Sequence, residues 1–261
     1  MPEGDTVWRA TKRLHQSLAG KELTRTDFRV PSLATTDLSG RTMLEVVARG
    51  KHLLMRVSDG LTIHSHLRME GSWHLYRTGE RWKGGPGHQI RAVLETESWV
   101  AVGYRLQVLD LVATDDEDSV VGHLGPDLLS PDFDRALAVA NLAAVPERTI
   151  SEALLDQRNL AGIGNFYRNE VCFLLGLHPW RPAGSVDLGA AVDLSRRMLK
   201  SNLVHAAQVS TGVDRPGRRT YVFERAGKSC RRCGTRIQMG PIGEPPRERI
   251  TYWCPTCQPE N

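Results

Sequence analysis

The sequence predicts an α+β fold in which a β-rich N-terminal half precedes a helical half and a short metal-binding segment. Short β-like runs, separated by clusters of Gly, Asp and Pro, fill residues 41–112 and indicate a sandwich or a barrel. Helical apolar periodicity follows over residues 133–144, 150–157, 165–175 and 188–204. Two Cys-x-x-Cys pairs lie in the last segment, residues 221–257, which has little periodicity.

Composition places the chain among ordinary globular proteins. Its 261 residues are enough for one large or two ordinary domains. With 40% apolar and 25% charged residues, the chain has the composition of neither a disordered nor a fibrous protein. No run approaches the ~18 apolar residues of a membrane helix, and the N-terminus lacks the pattern of a secretion signal. We therefore expect a cytoplasmic protein that does not bind a membrane.

Positive charge is concentrated near the C-terminus. The whole chain has a formal net charge of +4, but residues 205–257 hold ten Lys and Arg against four Asp and Glu, a net of +6. Such an asymmetry is typical of a segment that faces a polyanion, and equally of a solvated basic surface. Charge by itself leaves both interpretations open.

An amphipathic helix is predicted near the N-terminus, because four apolar residues share one face: Val7, Ala10, Leu14 and Leu18. Asp5 is the expected N-cap and Gly20 the expected end of this helix. Residues 114–131 combine an acidic run with Gly-Pro and Ser-Pro, which indicates a connection between domains.

The cysteine spacing predicts one structural zinc site. Twenty residues separate the pair Cys230 and Cys233 from the pair Cys254 and Cys257. Each pair can supply two thiolates to one tetrahedral Zn²⁺, with Zn–S distances near ~2.3 Å, and four thiolates leave no position open for water. A redox Cys-x-x-Cys is disfavoured because there are two pairs and no thioredoxin-like context. The same segment is rich in arginine: Arg231, Arg232, Arg236, Arg247 and Arg249.

A glycine-rich turn joins two helical patterns at Gly162 and Gly164. The second helix is expected to start near Asn165, so its free backbone amides and its dipole create an anion site that suits a phosphate. An ordinary turn between two helices has the same pattern. A dinucleotide-binding loop is excluded, because no strand precedes the turn.

The N-terminal residues contain a possible nucleophile. Met1 before Pro is normally removed, which leaves Pro2 with a free secondary amine whose pKa is of order ~8. Such an amine can attack a carbon electrophile, and Glu3 beside it could move protons. Lys51 opens a β-like run, where a lysine is usually a solvated edge residue. None of these residues is specific when taken alone.

Taken together, five motifs resemble one family. They are Pro2-Glu3-Gly4, residues 49–54 (RGKHLL), residues 66–69 (HLRM), residues 160–167 (LAGIGNFY) and the terminal four-cysteine segment. In this order they resemble the formamidopyrimidine-DNA glycosylase/endonuclease VIII (Fpg/Nei) family, and most closely its actinobacterial endonuclease VIII-like (Nei) branch. The resemblance spans essentially the whole chain. It implies an N-terminal β-sandwich with a flanking helix (1–128), a helix-two-turns-helix domain (129–222) and a four-cysteine zinc finger (223–261), with DNA bound in the cleft between the domains.

The resemblance also implies a reaction. Pro2 would attack C1′ of a damaged deoxynucleoside, expel the base and form an iminium, while Glu3 assists ring opening and base loss. The iminium is an electron sink, so the flanking phosphates would leave by β,δ-elimination. The implied function is a bifunctional DNA glycosylase/AP lyase of base excision repair that removes oxidised bases, chiefly pyrimidines. The chain would carry one structural Zn²⁺, bind damaged duplex or single-stranded DNA as a monomer, and lie in the cytoplasm at the nucleoid.

Four further positions match residues that the family uses on DNA. Lys51 matches a hairpin lysine, Asn165 a helix-start asparagine and Arg249 a finger-tip arginine, all of which hold backbone phosphate near the lesion. Met69 matches the side chain that fills the gap left by the extruded base, although a core position on a strand is its ordinary alternative.

Several positions depart from the family pattern. Residues 104–106 (YRL) lack its usual second wedge motif, Thr6 replaces a common Glu, and residues 210–220 lack the loop that caps oxidised purines. The lesion spectrum therefore stays open, and a purine-directed enzyme or a damage-binding protein without turnover are the alternatives. A zinc-ribbon adaptor for RNA or protein is disfavoured because the ribbon is joined to the whole glycosylase pattern. His64 and His66 are expected to form a hydrogen-bonded pair rather than a metal site.

Overall fold

A computed structural model describes residues 2–246 and 248–260 of the chain. The chain divides into two units, Met1–His123 and Leu124–Asn261. The predicted first boundary, at residue 128, lies slightly later than this division. Residues 223–261, predicted as a separate zinc finger, belong to the same unit as the helical segment. None of the helices within the described ranges is long and apolar enough to cross a membrane.

The first unit is a sandwich of two antiparallel sheets with one long helix. The sheets have the orders β1-β3-β4-β5-β9 and β2-β7-β8-β6. Side chains from both sheets and from the helix share one core, which includes Leu14, Met55 and Leu94. The elements are α1 (Gly4–Leu18), β1 (Lys21–Glu22), β2 (Arg25–Phe28), β3 (Thr42–Arg49), β4 (His52–Val57), β5 (Leu61–His66), β6 (Ser72–Arg77), β7 (Ile90–Glu95), β8 (Trp99–Tyr104), β9 (Val108–Ala113) and α2 (Asp118–Val121).

Helix α1 begins earlier than its sequence pattern suggests. Glu3 is the N-cap, so Asp5 lies inside the first turn, where its carboxylate accepts a hydrogen bond from Arg9 at 2.9 Å. The prediction that Asp5 caps the helix was wrong, because the helix starts at Gly4 and places Asp5 within its first turn. Gly20, with φ of +74°, follows the C-cap, and the apolar face packs into the core as predicted.

The second unit contains the helices and a two-stranded ribbon. Its elements are α3 (Arg135–Ala143), α4 (Ile150–Leu155), α5 (Asn165–Leu174), α6 (Leu188–Ser201), β10 (Gln238–Ile242) and β11 (Arg249–Trp253). Side-chain N-caps start three of the helices, with Asp134, Thr149 and Asp187 each accepting a backbone N–H three residues later. The four predicted helical segments are therefore confirmed, each somewhat shorter than its apolar pattern.

Cys172 on α5 is fully buried, and burial raises the pKa of its thiol to about 11. This cysteine therefore packs as a small apolar residue.

Candidate functional site

Pro2 and Glu3 lie at the start of α1. Pro2 is partly buried, whereas the Glu3 side chain is fully buried, and the Glu3 carbonyl accepts the first helical bond, from Val7 N at 3.0 Å. Glu3 is therefore the N-cap of α1, and its side chain lies buried at the helix N-terminus. Met1, whose removal is predicted, lies outside the described residues.

The turn between β3 and β4 presents Lys51. Gly50 has φ of +59°, a conformation that glycine adopts without strain, and Arg49 and His52 close the hairpin as cross-strand partners. Lys51 therefore lies at the tip of a tight hairpin, rather than along the exposed edge of a sheet.

Met69 lies in the turn between β5 and β6, and its side chain is 63% exposed. The preceding residue, Arg68, has φ of +51°, and its N–H donates to Nδ1 of His66 at 2.9 Å. This exposure excludes the alternative in which Met69 is a core residue. At the end of β8 and in the loop that follows it, Tyr104 and Leu106 are buried, so of the three residues 104–106 Arg105 is the exposed one.

Histidines cluster at the end of the sheet that carries Lys51. Nδ1 of His52 and Nε2 of His64 are 2.8 Å apart, and Nδ1 of His64 lies 3.1 Å from Oδ2 of Asp110. The rings of His66 and His123 stand edge-on to His52, at 4.8 and 6.0 Å between centroids. The predicted bond between His64 and His66 was wrong: Asp110 on the neighbouring strand and His52 take the two nitrogens of His64. Sequence spacing within one strand could not reveal these partners, because cross-strand register decides them.

Asn165 is the first residue of α5, after the N-cap Gly164. Its Nδ2 donates to the carbonyl of Ile250 at 3.0 Å, and its Oδ1 accepts a hydrogen bond from Arg168. Gly162, with φ of +117°, shapes the turn before the helix. The helix start predicted from the glycine pattern is confirmed, and the Asn165 amide is oriented by the ribbon strand β11.

Three consecutive buried polar residues on α5 were missed by sequence reasoning. Arg168 donates to Ser151 Oγ at 3.0 Å and to Thr251 Oγ1 at 2.5 Å. Asn169 Oδ1 accepts from Thr251 Oγ1 at 2.9 Å and from the backbone N–H of Tyr252 at 2.7 Å. Both side chains are fully buried, so they join α5 to the ribbon.

Glu170 anchors the segment that leads to the ribbon. Its carboxylate accepts the backbone N–H groups of residues 221, 222 and 223 at 2.8 to 2.9 Å, and also the hydroxyl of Ser210. A possible signal was the run of three polar residues in a helix whose other residues after Asn165 are apolar or aromatic. Three consecutive positions span most of the helix circumference, so such a helix must bury polar groups when it is enclosed.

The four cysteines form a cluster that could hold a metal ion. Their sulfur atoms all lie within 4.8 Å of one another, with Cys230 and Cys257 at 3.9 Å and Cys233 and Cys254 at 3.4 Å. A tetrahedral Zn–S₄ site has S···S edges of about 3.8 Å, so the donor set fits. Gln258 supports the cluster, since its Oε1 accepts from Cys254 N at 2.9 Å and its Nε2 donates to Leu177 O at 2.8 Å.

Arg249 begins strand β11 and is exposed, as is Arg231. Arg231 Nε donates to the carbonyl of Thr220 at 2.9 Å, which ties the ribbon to the basic loop before it. Arg247, part of the predicted basic ribbon, lies outside the described residues.

The predicted site residues fall in both units. Pro2, Glu3, Lys51 and Met69 lie in the first unit, and Asn165, Arg249 and the cysteines lie in the second.

Comparison with known proteins identifies the family. Residues 1–125 match the formamidopyrimidine-DNA glycosylase N-terminal domain, and residues 124–212 match the formamidopyrimidine-DNA glycosylase H2TH domain. The chain is 56% identical to the probable endonuclease 8 2 of Streptomyces coelicolor, over 99% of this chain and 94% of the relative. It is 48% identical to the DNA-(apurinic or apyrimidinic site) lyase Nei2 of Mycolicibacterium smegmatis, over 99% of both chains.

A solved structure shares the fold. The Lactococcus lactis Fpg in complex with DNA that contains an abasic site superposes with a TM-score of 0.82 at 24% identity, over 98% of this chain and 99% of that chain. The predicted α+β architecture, with a helix-two-turns-helix domain and a four-cysteine finger, is confirmed. The chain belongs to the formamidopyrimidine-DNA glycosylase/endonuclease VIII family.

Proposed function

We propose that this chain is a bifunctional DNA glycosylase/AP lyase of base excision repair that removes oxidised bases, chiefly pyrimidines. The observation that carries the proposal is the position of Glu3, whose buried carboxylate directly follows Pro2 at the start of α1. An N-terminal imino acid beside a buried carboxyl group supplies a nucleophile and a proton carrier. The names of the relatives, endonuclease 8 and AP lyase, support the same reaction.

The reaction begins at the Pro2 nitrogen, once Met1 has been removed. Its lone pair forms a bond to C1′, the glycosidic bond breaks, and the base leaves. Glu3 donates the proton that opens the sugar ring, which yields an iminium between Pro2 and C1′. Loss of a C2′ proton sends the C–H electrons into the iminium, and the β-elimination that follows expels the 3′-phosphate. A second, δ-elimination expels the 5′-phosphate, and water then hydrolyses the remaining iminium, which frees Pro2 and an unsaturated sugar aldehyde. The products are the free base, this sugar fragment and a one-nucleotide gap with phosphate at both ends.

Lys51, Asn165 and Arg249 are proposed to hold the DNA backbone near the lesion. Lys51 lies at a hairpin tip, Asn165 at the positive end of α5, and Arg249 is exposed on the ribbon. All three side chains carry N–H donors, which suit phosphate oxygens and carry no base information. This arrangement supports recognition of the damaged site by backbone geometry and not by sequence.

Met69 is proposed to fill the space left by the extruded base. The side chain is exposed, flexible and apolar, so it can stack between base pairs. Arg105 is the second candidate, because its neighbours Tyr104 and Leu106 are buried and therefore unable to reach DNA without rearrangement. The damaged nucleotide would thus leave the helix while the duplex stays stacked.

The cysteine cluster is proposed to bind one structural Zn²⁺ through Cys230, Cys233, Cys254 and Cys257. Four thiolates fill the tetrahedral shell, so the ion stabilises the ribbon and takes no part in the reaction.

We also propose that the protein acts as a monomer on duplex or single-stranded damaged DNA, in the cytoplasm at the nucleoid.

Trapping with borohydride tests the proposed reaction. Protein that lacks Met1 is incubated with duplexes that carry an abasic site, thymine glycol or 8-oxoguanine, in the presence of borohydride. We expect a covalent protein–DNA adduct on the first two, and gap products with phosphate at both ends when borohydride is omitted. Tight binding without adduct or cleavage would favour a damage-binding protein, and preference for 8-oxoguanine would favour the purine-directed alternative.

A further inference from the structure

Three side chains form one hydrogen-bonded series that ends beside Lys51. The Asp110 carboxylate contacts His64 at 3.1 Å, and His64 contacts His52 at 2.8 Å. The two rings are nearly parallel, with an interplanar angle of 16° and centroids 5.1 Å apart. Cross-strand register builds the series, because His64 on β5 is the direct partner of Asp110 on β9. His52, the residue after Lys51, is thereby connected to an acidic group on a strand beyond its neighbour.

The series determines the tautomers of both histidines. The Asp110 carboxylate only accepts, so His64 carries its proton on Nδ1 and accepts at Nε2. His52 must then donate from Nδ1 to His64, which leaves Nε2 of His52 with a lone pair. In this neutral form, His52 has no donor for an anion at that nitrogen. The ring is only partly buried.

Three basic groups outside the series act on His52: His66 on β5, Arg68 in the turn after β5, and His123 after α2. Arg49 on β3 is its cross-strand partner, Lys51 precedes it in the hairpin turn, and the charge of Lys51 acts on His66. Burial and the neighbouring rings lower the pKa of His52 to about 3. Burial, Arg68 and Lys51 lower the pKa of His66 to about 4, and burial lowers the pKa of His64 despite Asp110. His52, His64 and His66 are therefore neutral near pH 7, and a nearby negative charge would favour their protonation.

We propose that the Asp110–His64–His52 series takes up one proton when a DNA phosphate binds beside Lys51, and that His52 then donates a hydrogen bond to this phosphate. The inference rests on the proposed function, which places Lys51 against the DNA backbone. The proton comes from solvent and adds to Nε2 of His52. The Nδ1 proton of His52 passes to Nε2 of His64, so the positive charge rests beside the Asp110 carboxylate. No group is oxidised or reduced.

The sign of the pH dependence follows from this linkage. Phosphate binding raises the pKa of the series above its value in the free protein, so the complex holds more protons than its separate components. DNA affinity is then highest at low pH and falls as pH rises through the raised pKa, by at most about tenfold per pH unit for one proton. If the series bound the phosphate without taking up a proton, DNA affinity would not depend on pH in this way.

Calorimetric titration of a duplex that carries a tetrahydrofuran abasic analogue tests the proposal. The heat of binding is measured near pH 6 in several buffers that differ in ionisation enthalpy, because the slope of heat against that enthalpy gives the number of protons taken up. We expect the metal-loaded wild-type protein to take up roughly half to one proton. His64→Gln can keep both hydrogen bonds but cannot accept the proton from His52, so the positive charge would have to stay on His52, away from Asp110, and we expect a smaller uptake than in the wild type.

Two further variants make the result decisive. Asp110→Asn removes the balancing charge from a half-exposed position, 48% exposed, and should reduce proton uptake even if His64→Gln fails to fold. His74→Gln changes a partly buried histidine of the other sheet and should take up as many protons as the wild type. Equal uptake in Asp110→Asn, His64→Gln and the wild type would overturn the proposal.

The outcomes separate this inference from the function on which it rests. Wild-type binding without proton uptake, together with weaker binding of Lys51→Ala, overturns the proton series and leaves the backbone contact intact. If the wild type fails to bind the lesion duplex, or Lys51→Ala binds as well as the wild type, the proposed DNA contact is itself wrong, and the proton inference fails with it.

Discussion

The guanidinium of Arg168 donates a hydrogen bond to the side-chain oxygen of Asn165, one turn earlier on α5. The amide nitrogen of Asn165 in turn donates to the carbonyl of Ile250, the residue after Arg249. A buried arginine thus orients the helix-start asparagine and connects it to the ribbon backbone next to Arg249. Hydrogen bonds therefore link Asn165 to the strand that carries the second proposed phosphate contact.

Replacement of Arg168 by methionine should destabilise the protein by about 3 kcal/mol, because Ser151, Thr251 and Asn165 lose a buried partner. Urea unfolding of the metal-loaded protein measures this loss. Arg158→Met is the matched control, since Arg158 forms a surface ion pair with Asp156 and its side chain is 71% exposed. Equal unfolding free energies for the two variants would contradict the structural role of Arg168.

Pro2→Gly should largely abolish release of a damaged base, because a primary amine replaces the imino nucleophile at the N-terminus. Base release from a thymine-glycol duplex, followed by chromatography, gives the measurement. Pro31→Gly, at an exposed turn of the same unit, is the control and should retain wild-type release. Unchanged release by Pro2→Gly would remove the nucleophile assignment.

Arg249→Ala should weaken binding of lesion DNA and flatten its salt dependence. Loss of one phosphate contact reduces the slope of log affinity against log salt by about 0.9. Binding isotherms at several salt concentrations give this slope. Arg77→Ala removes a cation that stacks on Trp99 at 3.9 Å in the first unit, and it should leave the slope unchanged. A wild-type slope for Arg249→Ala would exclude a phosphate contact.

Met69→Ala should slow cleavage of a lesion duplex by about tenfold, which corresponds to about 1.4 kcal/mol. Cleavage of the same lesion in single-stranded DNA should change much less, because no base-pair stack has to be supported there. Met239→Ala, which changes another exposed methionine, serves as control. The cleavage rates are compared in single-turnover assays. Equal losses of cleavage rate on duplex and single-stranded DNA would argue against the gap-filling role.

Metal analysis should find one zinc per chain, and chelation should abolish lesion binding because the ribbon loses the ion that holds it together. Cys233→Ser should lose the metal. Cys172→Ala, which changes the cysteine outside the cluster, should keep it. Atomic absorption and hydrogen exchange over residues 221–258 follow metal content and ribbon folding. Full metal content in Cys233→Ser would contradict four-thiolate ligation.

Local patterns in the sequence determined much of this molecule. Apolar periodicity located α1 and the four predicted helices of the second unit, since a helix face is defined by residues three and four apart. The spacing of the cysteine pairs located the metal cluster, because each tight turn brings two sulfurs together. The glycine pattern located the start of α5 at Asn165. Each of these features depends on residues that are near one another in the chain.

Tertiary structure decided what depends on distant residues. Asp110 and His52 take the nitrogens of His64 because strand register brings three strands side by side, which no spacing within one strand reveals. Arg168 is buried only because the ribbon, more than eighty residues later, covers it. The sequence alone determined which elements form, since periodicity is local. Only the fold decided which polar groups meet, since burial and cross-strand register are properties of the assembled chain.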